Sequence, residues 1–377
     1  MIYLDNAATS WPKPKRVLDE MTRFLAEEGG SPSRAGHQFA AAAERIVQDV
    51  RIRLARMFNV EDPERIIHCF NCTDALNMAI KGCLKEGDHV VTTALEHNSI
   101  SRPLQAMVDA GLITVTRLPL TSRGFVEPDA FRSAITPRTR LVATLHASNV
   151  TGVIQPVEAI GRIAREHDCL FLVDAAQSAG VLDIDVQAMN IDLLAFPGHK
   201  SLLGPTGTGA LCVGPRAQLK PWREGGTGGD SVHPTQPQQL PTWLEAGTQN
   251  TVGLAGLSVA LDGLQPEQTL AHECALMQRL LDAVLDNPRI RVVGDPTPAR
   301  CLGVVSLTLA GRSPFEVATC LDSSFSIAVR PGLHCAPYLH RELGTFPEGT
   351  VRASLGPTTT ESEMDTFAAA LGEIAAG

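Results

Sequence analysis

No apolar run in this 377-residue chain is long enough to span a bilayer; the longest are strand-length, as in Cys169-Leu-Phe-Leu-Val173. A membrane-spanning helix is therefore not expected. An excess of positive charge is also missing. Lys and Arg number 32 against 41 Asp and Glu, for a formal net charge of -9. Broad binding to nucleic acid or anionic membranes needs clustered basic residues, so neither is expected. The opening Met-Ile-Tyr-Leu-Asp shows no basic region and no long apolar stretch, so no secretory signal is visible and a cytoplasmic location is expected. The nine cysteines lack regular spacing and read as reduced thiols rather than a disulfide framework. Cys69-Phe-Asn-Cys72 has C-x-x-C spacing, but no second pair accompanies it and no metal site is expected. There is no internal repeat and no low-complexity tract.

Hydrophobic residues make up 44% and charged residues 19%, which allows a sizeable core and argues against global disorder. Over the first two-thirds, strand-like runs alternate with helical patterns. His89–Thr93, Thr139–His146, Cys169–Asp174 and Leu193–Phe196 read as strands, and Val157–His167 as a helix. Such alternation predicts a mostly parallel sheet covered on both faces, with ligands at the carboxyl ends of its strands. Pro221–Gly247, rich in Gly, Pro, Gln and Thr, reads as a long loop. Beyond it the pattern predicts one helical stretch from Gly253 to about Leu285, then strands at Ile290–Val293, Gly303–Leu309 and Thr350–Ser354. A last amphipathic helix starts near Thr360-Glu-Ser-Glu, a capping-box sequence. The expected division is a large domain over 16–252 and a smaller α+β domain over 253–377, with segment 1–15 packed on the latter.

Several residues have the chemistry of a site. Lys200 follows His199 and precedes the glycine-rich Gly204-Pro-Thr-Gly-Thr-Gly209. A lysine buried in such a setting loses its proton readily and suits a Schiff base with an aldehyde. Asp174 ends an apolar strand; it either pairs with a pyridinium nitrogen or caps the next helix. Gln177, three residues on, is within reach of a ring hydroxyl. Asn71-Cys-Thr-Asp74 opens an apolar helix, either as a phosphate-binding helix start or as an ordinary N-cap. His97 sits at a strand-to-helix turn, placed to stack on a flat ring or to move protons. Arg352 interrupts an apolar strand and suits a carboxylate, a ligand's or a structural partner's. Cys335, in Arg330-Pro-Gly-Leu-His-Cys335, has Arg330 and His334 nearby, and positive charge favours the reactive thiolate. Together they point to pyridoxal-phosphate chemistry on a sulfur-containing amino acid.

The order of these elements resembles the fold-type I enzymes of pyridoxal phosphate, specifically the cysteine desulfurase branch of the class V aminotransferases. The likeness runs from Tyr3-Leu-Asp-Asn-Ala-Ala-Thr9 through Glu96-His97, His146-Ala-Ser-Asn149, Asp174-Ala-Ala-Gln177, Gly198-His-Lys200, Glu245-Ala-Gly-Thr248 and Arg330-Pro-Gly-Leu-His-Cys335 to Arg352-Ala-Ser-Leu355. It implies a mostly parallel central sheet in a large domain and a smaller α+β C-terminal domain. It also implies that Lys200 forms the aldimine, His97 stacks on the ring, Asp174 pairs with the ring nitrogen, and Gln177 and Asn149 serve its hydroxyl side. Thr73, His199 and the Cys72 position would bind phosphate, and Thr248 would reach the phosphate of a second subunit in a homodimer. Arg352 would hold the carboxylate of L-cysteine, with Asn149 and Arg330 nearby, and Cys335 would take the sulfur as a persulfide. The short Arg-Pro-Gly-Leu-His-Cys segment is similar to the SufS-like group II, whose sulfur passes to a SufE- or SufU-like or dedicated acceptor. Leu333, Pro197 and Cys72 depart from the usual pattern. A selenocysteine lyase, or a kynureninase-like lyase on the same scaffold, is the alternative.

Overall fold

The computed structural model describes residues 1–32, 36–228, 232–295 and 297–377. The chain opens with β1 (Ile2–Tyr3), α1 (Lys15–Glu27) and α2 (Gln38–Met57). Alternating elements follow: β2 (Ile66–Cys69), α3 (Cys72–Cys83), β3 (His89–Thr93), α4 (Asn98–Asp109), β4 (Thr114–Leu118), α5 (Pro128–Ala134), β5 (Thr139–Leu145), α6 (Val157–Glu166), β6 (Leu170–Asp174), β7 (Leu193–Pro197) and β8 (Gly209–Val213). After the long loop, whose residues 229–231 lie outside the described ones, come α7 (Thr251–Leu261), α8 (Pro266–Val284), β9 (Ile290–Val293), β10 (Val304–Leu309) and α9 (Pro314–Phe325). The chain finishes with β11 (Ile327–Ala328), β12 (Arg330–Gly332), α10 (Pro337–Glu342), β13 (Thr350–Ser354) and α11 (Glu361–Ala376).

Seven strands form one sheet in the order β2-β8-β7-β6-β5-β3-β4. All pairings from β7 to β4 are parallel; β8 runs antiparallel to both neighbours. The central strands β5 and β6 are buried nearly end to end, as continuous apolar runs covered on both faces must be. One apolar core lies on each face. A second, antiparallel sheet has the order β12-β13-β10-β9, and its own core includes Leu4 and the helices α8, α9 and α11. The short β1 pairs with β11, and Asp5 bridges to Ser354, which ties the N-terminal segment to this second sheet.

The structure differs from the expected pattern at one long helix. The stretch from Gly253 to about Leu285 is two helices, α7 and α8, interrupted around Gly263 and restarted with Pro266 in the first turn. α7 packs on α1 and α2, and its Leu254 and Leu257 join the core of the seven-stranded sheet. The residues expected to open the smaller domain thus lie against the larger sheet. The last helix begins with the expected capping box, Thr360 and Glu363.

Gly209 is a point of close approach. It opens β8, and a Cβ there would lie 2.9 Å from the Phe196 carbonyl oxygen and 3.0 Å from the Asn71 carbonyl carbon. Both are backbone atoms that cannot swing aside. Gly209→Ala should therefore lower stability by roughly 1–3 kcal/mol through overpacking. A urea-unfolding midpoint equal to wild type would show that the sheet and the Asn71 turn yield freely.

Candidate active site

The carboxyl ends of the parallel strands open onto one cavity. β5 leads into Ala147 and Asn149, β6 ends at Asp174, and β7 leads into His199 and Lys200; the turn after β3 supplies His97. Cys72 and Thr73, in the first turn of α3, and Gln177 complete its wall. Nine of the expected residues thus line a single space: Cys72, Thr73, His97, Asn149, Asp174, Gln177, His199 and Lys200 from the cofactor set, with the departing Pro197 beside them. Thr248 is not among them. It lies in separate grooves with Gly247, Gln249 and, in the larger one, Arg51 and Glu245.

Burial sets the charge states. The amine of Lys200 makes no hydrogen bond or ion pair with any described residue, and burial pulls its pKa below the ordinary lysine value, against the pull of Asp174 and Cys72. Burial likewise raises Asp174, although its Oδ1 accepts the Ala176 N–H at 2.9 Å and the Cys72 thiol at 3.4 Å. The Cys72 thiol is pushed well above its usual range, so it acts as a donor. Its side chain thus serves Asp174. His97 caps α4, accepting from the Ser99 N–H at 3.1 Å, and its Nδ1 lies 2.8 Å from the Ser99 hydroxyl. Burial, then the charges of Lys200 and Arg330, lower it to about 4. Burial also lowers His199 to about 4; its Nδ1 lies 3.1 Å from the Thr9 hydroxyl. Cys69 and Cys72 are both buried free thiols, each with a pKa raised by burial.

The Arg330–Cys335 segment borders this cavity without lining it. β12 ends at Gly332, and His334 and Cys335 follow in a turn with φ of 47° and 60°. The left-handed region costs a residue with a Cβ roughly 1–2 kcal/mol. Arg330 Nη2 lies 3.7 Å from Cys335 Sγ, as positive charge near that thiol requires. His334 corrects the expectation of a second positive charge. Its Nε2 lies 2.9 Å from the Thr350 hydroxyl, and burial lowers its pKa to about 2, so it is neutral. Arg352 does have a structural partner: it donates to Asp5 Oδ1 at 2.7 Å and to the Asn149 carbonyl at 2.9 Å. Its Nε is buried and unpartnered. The Asn149 side-chain amide donates to the His334 carbonyl at 2.7 Å, and Gln177 donates to the Ala7 carbonyl at 3.1 Å.

Three supporting residues are given no role by the sequence. Ser99 joins the Thr73 hydroxyl at 2.8 Å to His97. Thr9 supports His199, and Asp5 pairs with Arg352. Asp5 and Thr9 lie within the Tyr3–Thr9 motif and Ser99 in the Glu-His-Asn-Ser helix start, but their partners Arg352, His199 and Thr73 lie on other segments, so no local pattern assigns them a role.

The family model for aminotransferase class-V matches residues 2–367. A probable cysteine desulfurase of Methanothermobacter thermautotrophicus is 34% identical over 385 residues, covering 99% of this chain and 94% of the relative. Another, from Mycolicibacterium paratuberculosis, is 34% identical over 388 residues; all of this chain is covered, and it spans 56% of that relative's length. Among solved structures, the apo cysteine desulfurase of Thermococcus onnurineus NA1 superposes with a TM-score of 0.93 at 32% identity, covering 100% of this chain and 95% of the other.

The buried groups also set a pH dependence for the protein without added cofactor. Burial lowers His68, His97, His146, His199 and His340 to about 4, and His334 to about 2. Below the unfolded value of about 6.5 the unfolded chain binds protons that the fold refuses, so stability falls as pH drops from there toward 4. Burial raises Glu96 to about 8 and Glu273 to about 7. Their contribution is present below the unfolded value and is lost as pH rises through those values. Six imidazoles outweigh two carboxyls on the acid side; on the alkaline side the carboxyls act first, and the buried thiols, also raised by burial, add to the loss above the ordinary thiol range. The urea midpoint should therefore peak near pH ~6.5 and fall more steeply toward acid. A midpoint that rises steadily from pH 6 to 4 would contradict this assignment.

Proposed function

Because the chain belongs to the class-V aminotransferase family, and proteins named cysteine desulfurases match it at 34% identity over nearly its whole length, we propose that it converts L-cysteine to L-alanine and passes the sulfur to Cys335. The observation that carries this reading is the meeting of the Lys200 amine and the Asp174 carboxylate in one cavity, with the Cys335 turn hydrogen-bonded to Asn149 in its wall.

Cysteine desulfurases are pyridoxal-phosphate enzymes, and the residues of the cavity fit that cofactor. Lys200 has a free amine with a lowered pKa to hold it. Asp174 uses Oδ1 for its two protein donors, which leaves Oδ2 for the ring nitrogen; a cation there offsets the cost of its burial. Thr73, His199 and the backbone N–H groups of Cys72 and Thr73 suit the phosphate, since those two amides have no partner within their helix, while the Asp74 N–H is already taken by the Asn71 side chain. His97 would stack on the ring, and Gln177 and Asn149 would serve its hydroxyl side. Thr248, in its separate groove, would reach the partner's phosphate in a twofold homodimer.

When bound, pyridoxal phosphate supplies a sink for the electron pair left as the substrate Cα loses its proton. The Lys200 amine carries that proton. Arg352, through its vacant Nε, and Arg330 hold the substrate carboxylate. The Cys335 thiolate then attacks the substrate sulfur. The C–S bond breaks, an S–S bond forms, and the substrate carbon takes up a proton. Sulfur is oxidised as carbon is reduced, so no external redox agent is needed. The persulfide would pass to a SufE- or SufU-like or dedicated acceptor in the cytoplasm. We divide the chain into a larger unit from α1 through α7 and a smaller one from α8 onward, with the N-terminal segment on the latter.

Borohydride treatment of the cofactor-loaded protein should fix the cofactor to Lys200, and Lys200→Ala should bind it reversibly with turnover lost. A reduced adduct on another lysine would overturn the assignment. Cys335→Ser should keep the cofactor absorbance but reduce sulfide release from L-cysteine by at least about 100-fold, as loss of a nucleophile does. Desulfuration at the wild-type rate would exclude a persulfide on Cys335.

A further inference from the structure

We propose that Asn149 is a positioning residue for Cys335, acting through the carbonyl of His334. His334 and Cys335 occupy consecutive left-handed conformations, at φ of 47° and 60°, although neither is glycine. Such a pair persists only where the surroundings over-determine it. Two donors do so here. The Asn149 side-chain amide donates to the His334 carbonyl at 2.7 Å, and the Asn98 backbone N–H donates to the Cys335 carbonyl at 2.8 Å. Two adjacent peptide groups are thereby fixed, and with them the direction of the Cys335 side chain, whose Sγ lies 3.7 Å from Arg330. A third bond, from the Ala336 N–H to the Leu333 carbonyl at 2.9 Å, closes the turn.

Both donors come from elements that line the cavity. Asn149 is itself a wall residue, and Asn98 begins α4 directly after His97. Any residue at 98 other than proline supplies the backbone donor, so Asn149 is the member whose side chain matters. Its own backbone is held independently. Arg352 donates to its carbonyl at 2.9 Å, and the Ser148 hydroxyl accepts from the next two amides, Val150 at 3.2 Å and Thr151 at 3.1 Å. Truncating the side chain therefore removes the bond to His334 without releasing the turn that carries it. Asn149 Oδ1 is buried with no partner and remains available to a donor in the cavity. The two duties use different atoms, so the nucleophile is held from the same residue that meets the cavity's contents.

The kinetic consequence rests on the desulfurase reading; the structural one does not. The test uses the cofactor-loaded protein, with Asn149→Ala and the isosteric Asn149→Asp, which cannot donate to a carbonyl. Hydrogen exchange at the Asn98 and Ala336 amides should speed up about tenfold in both, as expected for one lost buried hydrogen bond, while β13 exchanges as in wild type. With L-cysteine, kcat should fall about tenfold while KM stays within about twofold, the pattern of a lost transition-state interaction. Unchanged exchange at both amides overturns the proposal, as does a rise in KM with kcat unchanged. If Asn149→Ala does not fold, the Asp variant decides. If the wild-type protein does not turn over L-cysteine, the desulfurase reading fails while the exchange measurement still decides the role of Asn149.

Discussion

A single buried guanidinium joins the three segments on which the site depends. Arg352 lies in the middle of β13, pairs with Asp5 of the N-terminal segment at 2.7 Å, and donates to the Asn149 carbonyl, in the turn after β5, at 2.9 Å. A charge taken this far from water must keep its partners. An ion pair of this kind stabilises little relative to apolar packing, yet breaking one in a fully buried setting costs about 3–5 kcal/mol. Its effect here is registration. The second sheet, the N-terminus and the cavity wall cannot slide past one another without stranding that charge.

Desolvation then sets the chemistry of the cavity. Lys200, His97 and His199 are all shifted toward their neutral forms, and burial is the largest cause for each. Among the described residues lining the cavity, the one carboxylate, Asp174, is itself raised by burial. Cys72 stands out because its raised pKa keeps a proton on sulfur, and that proton faces the Asp174 carboxylate. The departure at position 72 therefore changes a donor to the carboxylate and leaves the helix start intact. A cavity of neutral bases around one carboxylate is prepared for a ligand that brings its own charges.

The turn carrying Cys335 shows the same economy of parts. His334 contributes its carbonyl to Asn149 and its ring to Thr350, and burial removes its charge. Arg330 supplies positive charge beside the sulfur. The turn is short and lies between β12 and α10, so the thiol has a defined place beside the cavity.

Much of this was legible locally. Apolar runs ending in Asp174, or just before His199 and Lys200, mark strand ends, and strand ends of a parallel sheet face one crevice. The capping sequence at Thr360 and the helix start at Asn71 are likewise read within four residues. The break between α7 and α8 was missed because apolar spacing continues across it, although Gly263 and Pro266 were the available signals. What no local pattern contains is pairing at long range. Asp5 and Arg352 are 347 positions apart, Asn149 and His334 are 185, and Cys72 and Asp174 are 102. The sequence by itself determined the alternation of strands and helices and the kinds of reactive groups at their ends, because periodicity and capping are properties of neighbouring residues. Only the tertiary structure decided that His334 is neutral, that Arg352 already has a carboxylate, and that the Asn149 amide donates to the turn carrying Cys335, because desolvation and hydrogen-bond partners exist only once distant segments meet.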